Sequence, residues 1–270
     1  MFALIDTPRH RLLQSDLLHL PGLFAGFTTR QRREHPGAPW ASDWTFRSPR
    51  SLEHSAGYQE FIETLLPPGM ATAVERQVHS TTVTVAEPPW GAHHPHVVAE
   101  ASDALLTQAP GIACLSQSAD CCVGLVVDPV TRAVGAFHAG WRGAVAGMPG
   151  TCIGTMVRCY GTDPADLRIA LGPTIQQRSY QVGPEVAEAV QWAEPEYAYA
   201  LCPADPGSPG RFRLDLQGLV HLLLQRAGVP GEQIDRCPHD TFAQADLLHS
   251  FRRDGSGQGL QVGFIGWMPH

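Results

Sequence analysis

The chain has no apolar run of the roughly eighteen residues that would read as a membrane span. Near the N-terminus its leucines are interrupted by Asp6, Arg9, His10, Arg11 and Asp16. Neither a membrane helix nor a secretory leader is expected. A basic excess is also missing: the net charge is -7 with histidines neutral, and polynucleotide binding rests on Lys and Arg neutralising phosphates. A nucleic acid polymer is therefore not an expected partner, whereas a mononucleoside or phosphate needs only a local arginine or two. No internal repeat or long linker divides the 270 residues. A chain of that length buries well over half of its unfolded surface, so a single domain over residues 1–270 is expected. Paired cysteines are lacking too. There are seven, an odd number with Cys121 and Cys122 adjacent, which fits a reduced cytoplasmic protein better than a disulfide scaffold. The 27 glycines and 23 prolines imply many loops between short elements.

What is present is concentrated chemistry. The run Phe137-His138-Ala139-Gly140-Trp141-Arg142-Gly143 places an imidazole, an aromatic wall and a guanidinium side by side. Upstream, Gln77-Val78-His79-Ser80 and Ser118-Ala119-Asp120-Cys121-Cys122 add a second imidazole and a thiol, each at the end of a β-rich run. Two histidines and a cysteine can close around Zn²⁺ and leave a fourth position for water or substrate. Each of these residues taken alone is more often a packing or structural residue, and their long, irregular spacing is not the compact zinc-finger pattern.

The surrounding pattern gives the elements. Leu52, Ser55, Tyr58, Ile62 and Leu65 repeat at three or four, predicting a helix over 51–66 that Pro67-Pro68-Gly69 stops. Residues 71–78 and 81–86 read as strands with His79 at their junction, and 88–102, with its prolines and His93, His94 and His96, reads as a loop. Strands are expected over 111–117, 122–128 and 133–137, then an amphipathic helix over 143–160 whose stripe of Val145, Met148, Cys152, Met156 and Cys159 is core. Cys114 reads as packing too. That helix would bring its N-terminal amides beside Arg142, a combination suited to an anion, although Pro149 can break it early. A strand over 167–171, helices over 184–192 and 215–227, and a last strand over 260–267 follow. Strands outnumber helices without regular alternation, so the expected class is α+β, with layered mixed β-sheets flanked by helices.

The segments Gln77-Val78-His79, Asp103-Ala104-Leu105-Leu106-Thr107, Ala119-Asp120-Cys121 and His138-Ala139-Gly140-Trp141-Arg142-Gly143, in this order, resemble the laccase-domain or multicopper polyphenol oxidase family. Its members are now described as purine nucleoside phosphorylases and, in bacteria, as peptidoglycan editing factors. Gly172-Pro173-Thr174-Ile175, Tyr180-Gln181-Val182-Gly183 and Ser250-Phe251-Arg252-Arg253-Asp254-Gly255 resemble later blocks of the family, so the likeness runs from about Gln77 to the end. It implies a metal, usually zinc, on His79, Cys121 and His138, and a fold distantly similar to the catalytic domain of cytotoxic necrotizing factors. It also implies phosphorolysis of adenosine, inosine or methylthioadenosine, and deamination of adenosine. Departures are visible: Thr29-Arg30 is followed by Gln31-Arg32-Arg33-Glu34 rather than Gly-Gly, Val123 replaces a common proline, Gln181 a common glutamate, and Gln258 a frequent arginine.

Within that reading Cys121, His138 and Arg142 are the candidate catalytic residues, with Gln77, Arg30, Trp141 and Arg252 as substrate contacts. Arg142, with Arg30 or Arg252, would hold phosphate, and Trp141 either stacks on a base or packs in the core. Three other readings stay open. Cys121 could be a nucleophile with His138 as its base, hydrolysing an amide in a wall precursor; a single copper at the same site could oxidise phenols weakly; or the metal could stabilise a binding protein without turnover.

Overall fold

The computed structural model describes residues 1–44, 56–87, 96–99, 101–256 and 259–269. Two mixed sheets lie face to face. One has seven strands and the other six. In the first, β1 (Phe2–Asp6), β2 (His10–Ser15) and β3 (Leu23–Arg32) form a meander that joins β15 (Gln261–Trp267). Beyond it come β8 (Ile112–Ser118), β4 (Ala71–Glu75) and β6 (His96–Ala99), the last two in parallel pairings. In the second, β9 (Cys122–Val127) and β10 (Val134–Ala139) form the centre, flanked by β7 (Ala104–Thr107) with β5 (Val83–Val85) and by β11 (Arg168–Leu171) with β14 (Ile234–Arg236). A separate ribbon pairs β12 (Gln181–Val182) with β13 (Phe212–Arg213).

β8, β9, β10 and β15 are buried at every position, as strands covered on both faces must be. The slab between the sheets holds Phe27, Leu105, Cys114, Leu125 and Ile265. On the outer face of the seven-stranded sheet α1 (Ala56–Thr64) lays Tyr58 and Phe61 over Leu115, Val262 and Phe264. On the outer face of the six-stranded sheet α3 (Met148–Tyr160), α4 (Pro184–Ala193), α5 (Ala198–Leu201) and α6 (Leu216–Arg226) share one core cluster with Val126, Phe137 and Ile169. The α+β class of mixed sheets flanked by helices is therefore the observed one.

Several local expectations change. The helix expected over 143–160 is two helices, α2 (Trp141–Val145) and α3, because Gly147 turns through a left-handed φ of 90° between them. Pro149 does not end a helix but sits in the first turn of α3, where its missing N–H costs nothing. The helix N-terminus expected beside Arg142 is that of the short α2, two residues earlier than expected, with Arg142 and Gly143 in its first turn. The stripe is core at Met148, Cys152 and Met156, while Cys159, expected to pack, is exposed. Within 88–102, His96–Ala99 forms the edge strand β6 beside β4 rather than loop. His93 and His94, the expected start of the first helix and Gln258 lie outside the described residues. All seven cysteines are free, and no helix among the described residues is long and apolar enough to cross a membrane.

Candidate metal centre and its cavity

The chain passes from the seven-stranded to the six-stranded sheet after each of the parallel strands β4, β6 and β8, at the same end, and the first and last of these links each carry one candidate ligand. His79 lies in the link from β4 to β5, Cys121 in the link from β8 to β9, and His138 in the last turn of pleat of β10. The three reach one another: their donor atoms all lie within 4.8 Å, with Cys121 Sγ 3.9 Å from His79 Nε2. The imidazole rings meet edge to face with centroids 4.8 Å apart. His138 is buried, Cys121 half-buried and His79 exposed, so the cluster opens to solvent on one side.

Asp103, quoted in the sequence motif without a role, holds two of the three in place. His79 adopts a left-handed φ of 60°, a conformation a non-glycine residue keeps only when its surroundings enforce it. The enforcement is a nest of backbone amides: Val78, His79 and Ser80 donate to the Asp103 carboxylate at 3.2, 3.0 and 2.6 Å, joined by the Ser80 hydroxyl at 2.8 Å. The same carboxylate accepts from His138 Nδ1 at 3.0 Å, and the Asp103 carbonyl accepts the His138 backbone N–H at 2.8 Å. This fixes the His138 tautomer and aims Nε2 at the cluster, the usual outer partner of a metal-binding histidine. The sequence signal was available: one acid opening an otherwise apolar strand, Asp103-Ala104-Leu105-Leu106.

Asp120, at φ 105°, shapes the last of these links. Its carboxylate accepts from the Thr241 hydroxyl and from the Arg252 backbone N–H at 2.7 Å, tying the Cys121 turn to the C-terminal segment.

Electrostatics follow from this packing. Burial alone would raise the Cys121 thiol, but the His138 charge, with hydrogen bonds from His138 and His79, outweighs it and holds the thiol down to about 6. His138 moves the opposite way: burial would lower it, and the Cys121 charge and the Asp103 hydrogen bond raise it. Burial opposes ionisation of Asp103 as well, yet the hydrogen bonds from His138 and Ser80 bring it down to about 2. A thiolate facing two imidazoles is what a soft, borderline cation requires. Tetrahedral zinc places such donors about 3.3–3.6 Å apart, so small side-chain movements close the observed spacing. The donor set fits the ion.

Gly140 shows that the space is already committed. A Cβ there would stand 2.8 Å from His79 Cδ2 and 3.0 Å from Cys121 Sγ, although the backbone angles, φ -72° and ψ 174°, suit any residue. Gly140→Ala is thus expected to push two ligands apart while leaving the fold intact. Metal affinity, titrated against a competing chelator, should fall by about tenfold or more, a loss of roughly 1.4 kcal/mol or more, with the thermal melt nearly unchanged.

The cavity around the cluster has a volume of about 500 Å³ and is lined by Arg142, Trp141, Tyr180, Phe251 and Arg252, and also by Arg76, Gln77 and Gln117. The Arg142 guanidinium stacks on Trp141 at 4.3 Å and that of Arg252 on Tyr180 at 5.1 Å, with Arg252 also donating to the Gln181 carbonyl at 2.6 Å. Both positive charges act on the Tyr180 phenol, against the burial that raises it, so they belong to one cationic side. Gln77 lines the cavity with its carboxamide spent on the Gln117 backbone, donating to the carbonyl at 2.8 Å and accepting from the N–H at 3.0 Å. Arg30 stands apart. It does not line the cavity, and its guanidinium donates to the carbonyls of Ser42 and Ala245. Gln181 turns its amide to Asp205 at 2.7 Å, away from the cavity. A glutamate there would face another carboxylate.

The fold and this site define a layered mixed-sheet protein with an open His/Cys/His metal-type centre in a cavity edged with arginine. Residues 55–268 match the family described as multi-copper polyphenol oxidoreductase laccase, and the chain belongs to it. It is 32% identical over 236 residues to a purine nucleoside phosphorylase of Synechocystis sp., covering 80% of this chain and 86% of that protein. It is 35% identical to a purine nucleoside phosphorylase of Streptomyces coelicolor, covering 71% and 73%. The crystal structure of the hypothetical protein YfiH of Bacillus licheniformis superposes with a TM-score of 0.82 at 25% identity, over 98% of both chains. Among the described residues His79, Cys121 and His138 are the one cluster of ligating side chains found, where multicopper oxidation needs several.

Proposed function

We propose that this chain is a zinc-dependent purine nucleoside phosphorylase acting on adenosine, inosine or methylthioadenosine, with deamination of adenosine as a second activity. The observation that carries the reading is the convergence of His79, Cys121 and His138 on a cavity that Arg142 and Arg252 also line. The names of the relatives point the same way. Zinc bound by the three side chains would supply Lewis acidity toward a substrate oxygen or water. The chain's own residues do the rest. Arg142 and Arg252, which cover the rings of Trp141 and Tyr180, bind and orient phosphate, and the exposed ring of Phe251 offers a face to a flat base. In phosphorolysis a phosphate oxygen forms a bond to the ribose C1′ as the bond from C1′ to the base nitrogen breaks. The bonding pair leaves with the base, which takes up a proton.

The test uses metal-quantified protein and a nucleoside panel with and without phosphate. Free base accompanied by ribose 1-phosphate, formed only when phosphate is present, is the expected result. Base release that ignores phosphate would make the enzyme a hydrolase instead. Inosine formed from adenosine in either condition is expected for the second activity.

The depressed Cys121 thiol also suits a thiol nucleophile with His138 as base, acting on an amide of a wall precursor. That dyad needs no His79, which separates the two readings experimentally.

A further inference from the structure

Tyr180, which directly precedes β12, is held everywhere except at its hydroxyl. Its backbone N–H donates to the Gln176 carbonyl at 3.0 Å, and its carbonyl accepts from the Leu214 N–H at 3.1 Å. The ring packs against the core cluster outside the six-stranded sheet, with the Arg252 guanidinium over it at 5.1 Å. The hydroxyl differs. Among the described residues nothing hydrogen-bonds to it, and it is not sealed from solvent. Tyr58, by contrast, shares a hydrogen bond with the Thr72 hydroxyl at 2.5 Å. Tyr180 lines the metal-type cavity, and the charges that act on its phenol are those of Cys121, Arg252, Asp120 and Arg142, all of which line the same cavity. These neighbours place the free oxygen inside the cavity, near the thiol of the cluster and both guanidiniums. A phenylalanine would pack in the same way and offer Arg252 the same face, so the hydroxyl serves nothing in the fold.

We infer that the Tyr180 hydroxyl is a phosphate ligand, the donor that completes the anion site begun by Arg142 and Arg252. Arg252 spends part of its fork on the Gln181 carbonyl at 2.6 Å, so it brings fewer than its full set of donors to an anion. A phosphate drawn to both guanidiniums still has oxygen lone pairs to satisfy, and a neutral hydroxyl adds a donor without adding charge. Burial raises the phenol above its ordinary value, so it stays protonated and remains a donor at neutral pH. No proton changes hands: the hydroxyl orients the phosphate whose oxygen bonds to the ribose C1′. This inference rests on the proposal that the cavity binds phosphate beside a nucleoside.

The test compares zinc-supplemented wild type with Tyr180→Phe, which removes one oxygen and keeps the ring. Steady-state constants for phosphate are taken at saturating nucleoside and those for nucleoside at saturating phosphate. Affinity for inorganic phosphate is also read by calorimetry without nucleoside. Loss of a hydrogen bond to a charged group should lower both the affinity for phosphate and kcat/KM for phosphate by about 10- to 100-fold. The KM for nucleoside, the zinc affinity and the melting temperature should hold. Unchanged phosphate constants in Tyr180→Phe overturn the role of Tyr180 alone. An equal loss toward nucleoside and phosphate overturns it too, because a residue that merely shapes the cavity would act on both. A wild type that neither binds phosphate nor needs it for base release overturns the phosphorylase reading, and this inference with it.

Discussion

Asp103→Ala should be the most damaging single substitution near the site, because one fully buried carboxylate holds both the His79 link and the His138 imidazole. It leaves three backbone amides and the His138 imidazole without their acceptor. Breaking a buried charged pair by removing one partner costs about 3–5 kcal/mol, and the loss of an outer partner lowers metal affinity by about 10- to 100-fold. Urea denaturation and a chelator-competed metal titration would read the two effects separately. The pH dependence has a definite sign. The folded carboxyl lies at about 2, below its ordinary 3.8. Its contribution is whole above about pH 4 and is lost as pH falls toward 2. It is worth about 2 kcal/mol, so the stability gap between wild type and Asp103→Asn should narrow in acid. A gap that widened would show that Asp103 is not the group responsible.

His79→Ala carries the second large effect, and it falls on activity rather than stability. The side chain is exposed, so truncation should change the melt by well under 1 kcal/mol. Removing one of three ligands should nevertheless cost about a thousandfold or more in kcat/KM, over 4 kcal/mol of transition-state stabilisation. A Cys121 and His138 nucleophilic pair would survive the same substitution, and a metal-stabilised binding protein would lose stability instead of turnover. The variant therefore divides all three readings, provided its metal content and its melt are measured with its kinetics.

The elements legible in the sequence were those whose local pattern and tertiary role agree. The apolar runs 111–115 and 122–127 lie in strands because burial on both sheet faces demands such runs. Asp215 caps α6 through the Gly218 N–H at 2.7 Å, as an aspartate before an apolar repeat should. Elements decided elsewhere were not legible. β1, β2 and β3 lie outside the part of the chain that carries the family motifs, and β6 forms only because β4 offers it an edge. Gly147 splits the expected helix through a backbone conformation that the stripe of apolar residues does not report.

The amino-acid order alone determined the candidate ligand types and their neighbourhood: His79, Cys121 and His138 at strand ends, Arg142 beside an imidazole, and a mixed-sheet class. Only the tertiary structure decided which side chains share the cavity. It brought Arg252 in from the far end of the chain, kept Arg30 out on two carbonyls, and gave Asp103 and Tyr180 their places. The reason is that ligand identity is chemistry written in one residue, whereas convergence depends on two sheets stacking so that their crossing links meet at one edge. No local pattern encodes that meeting.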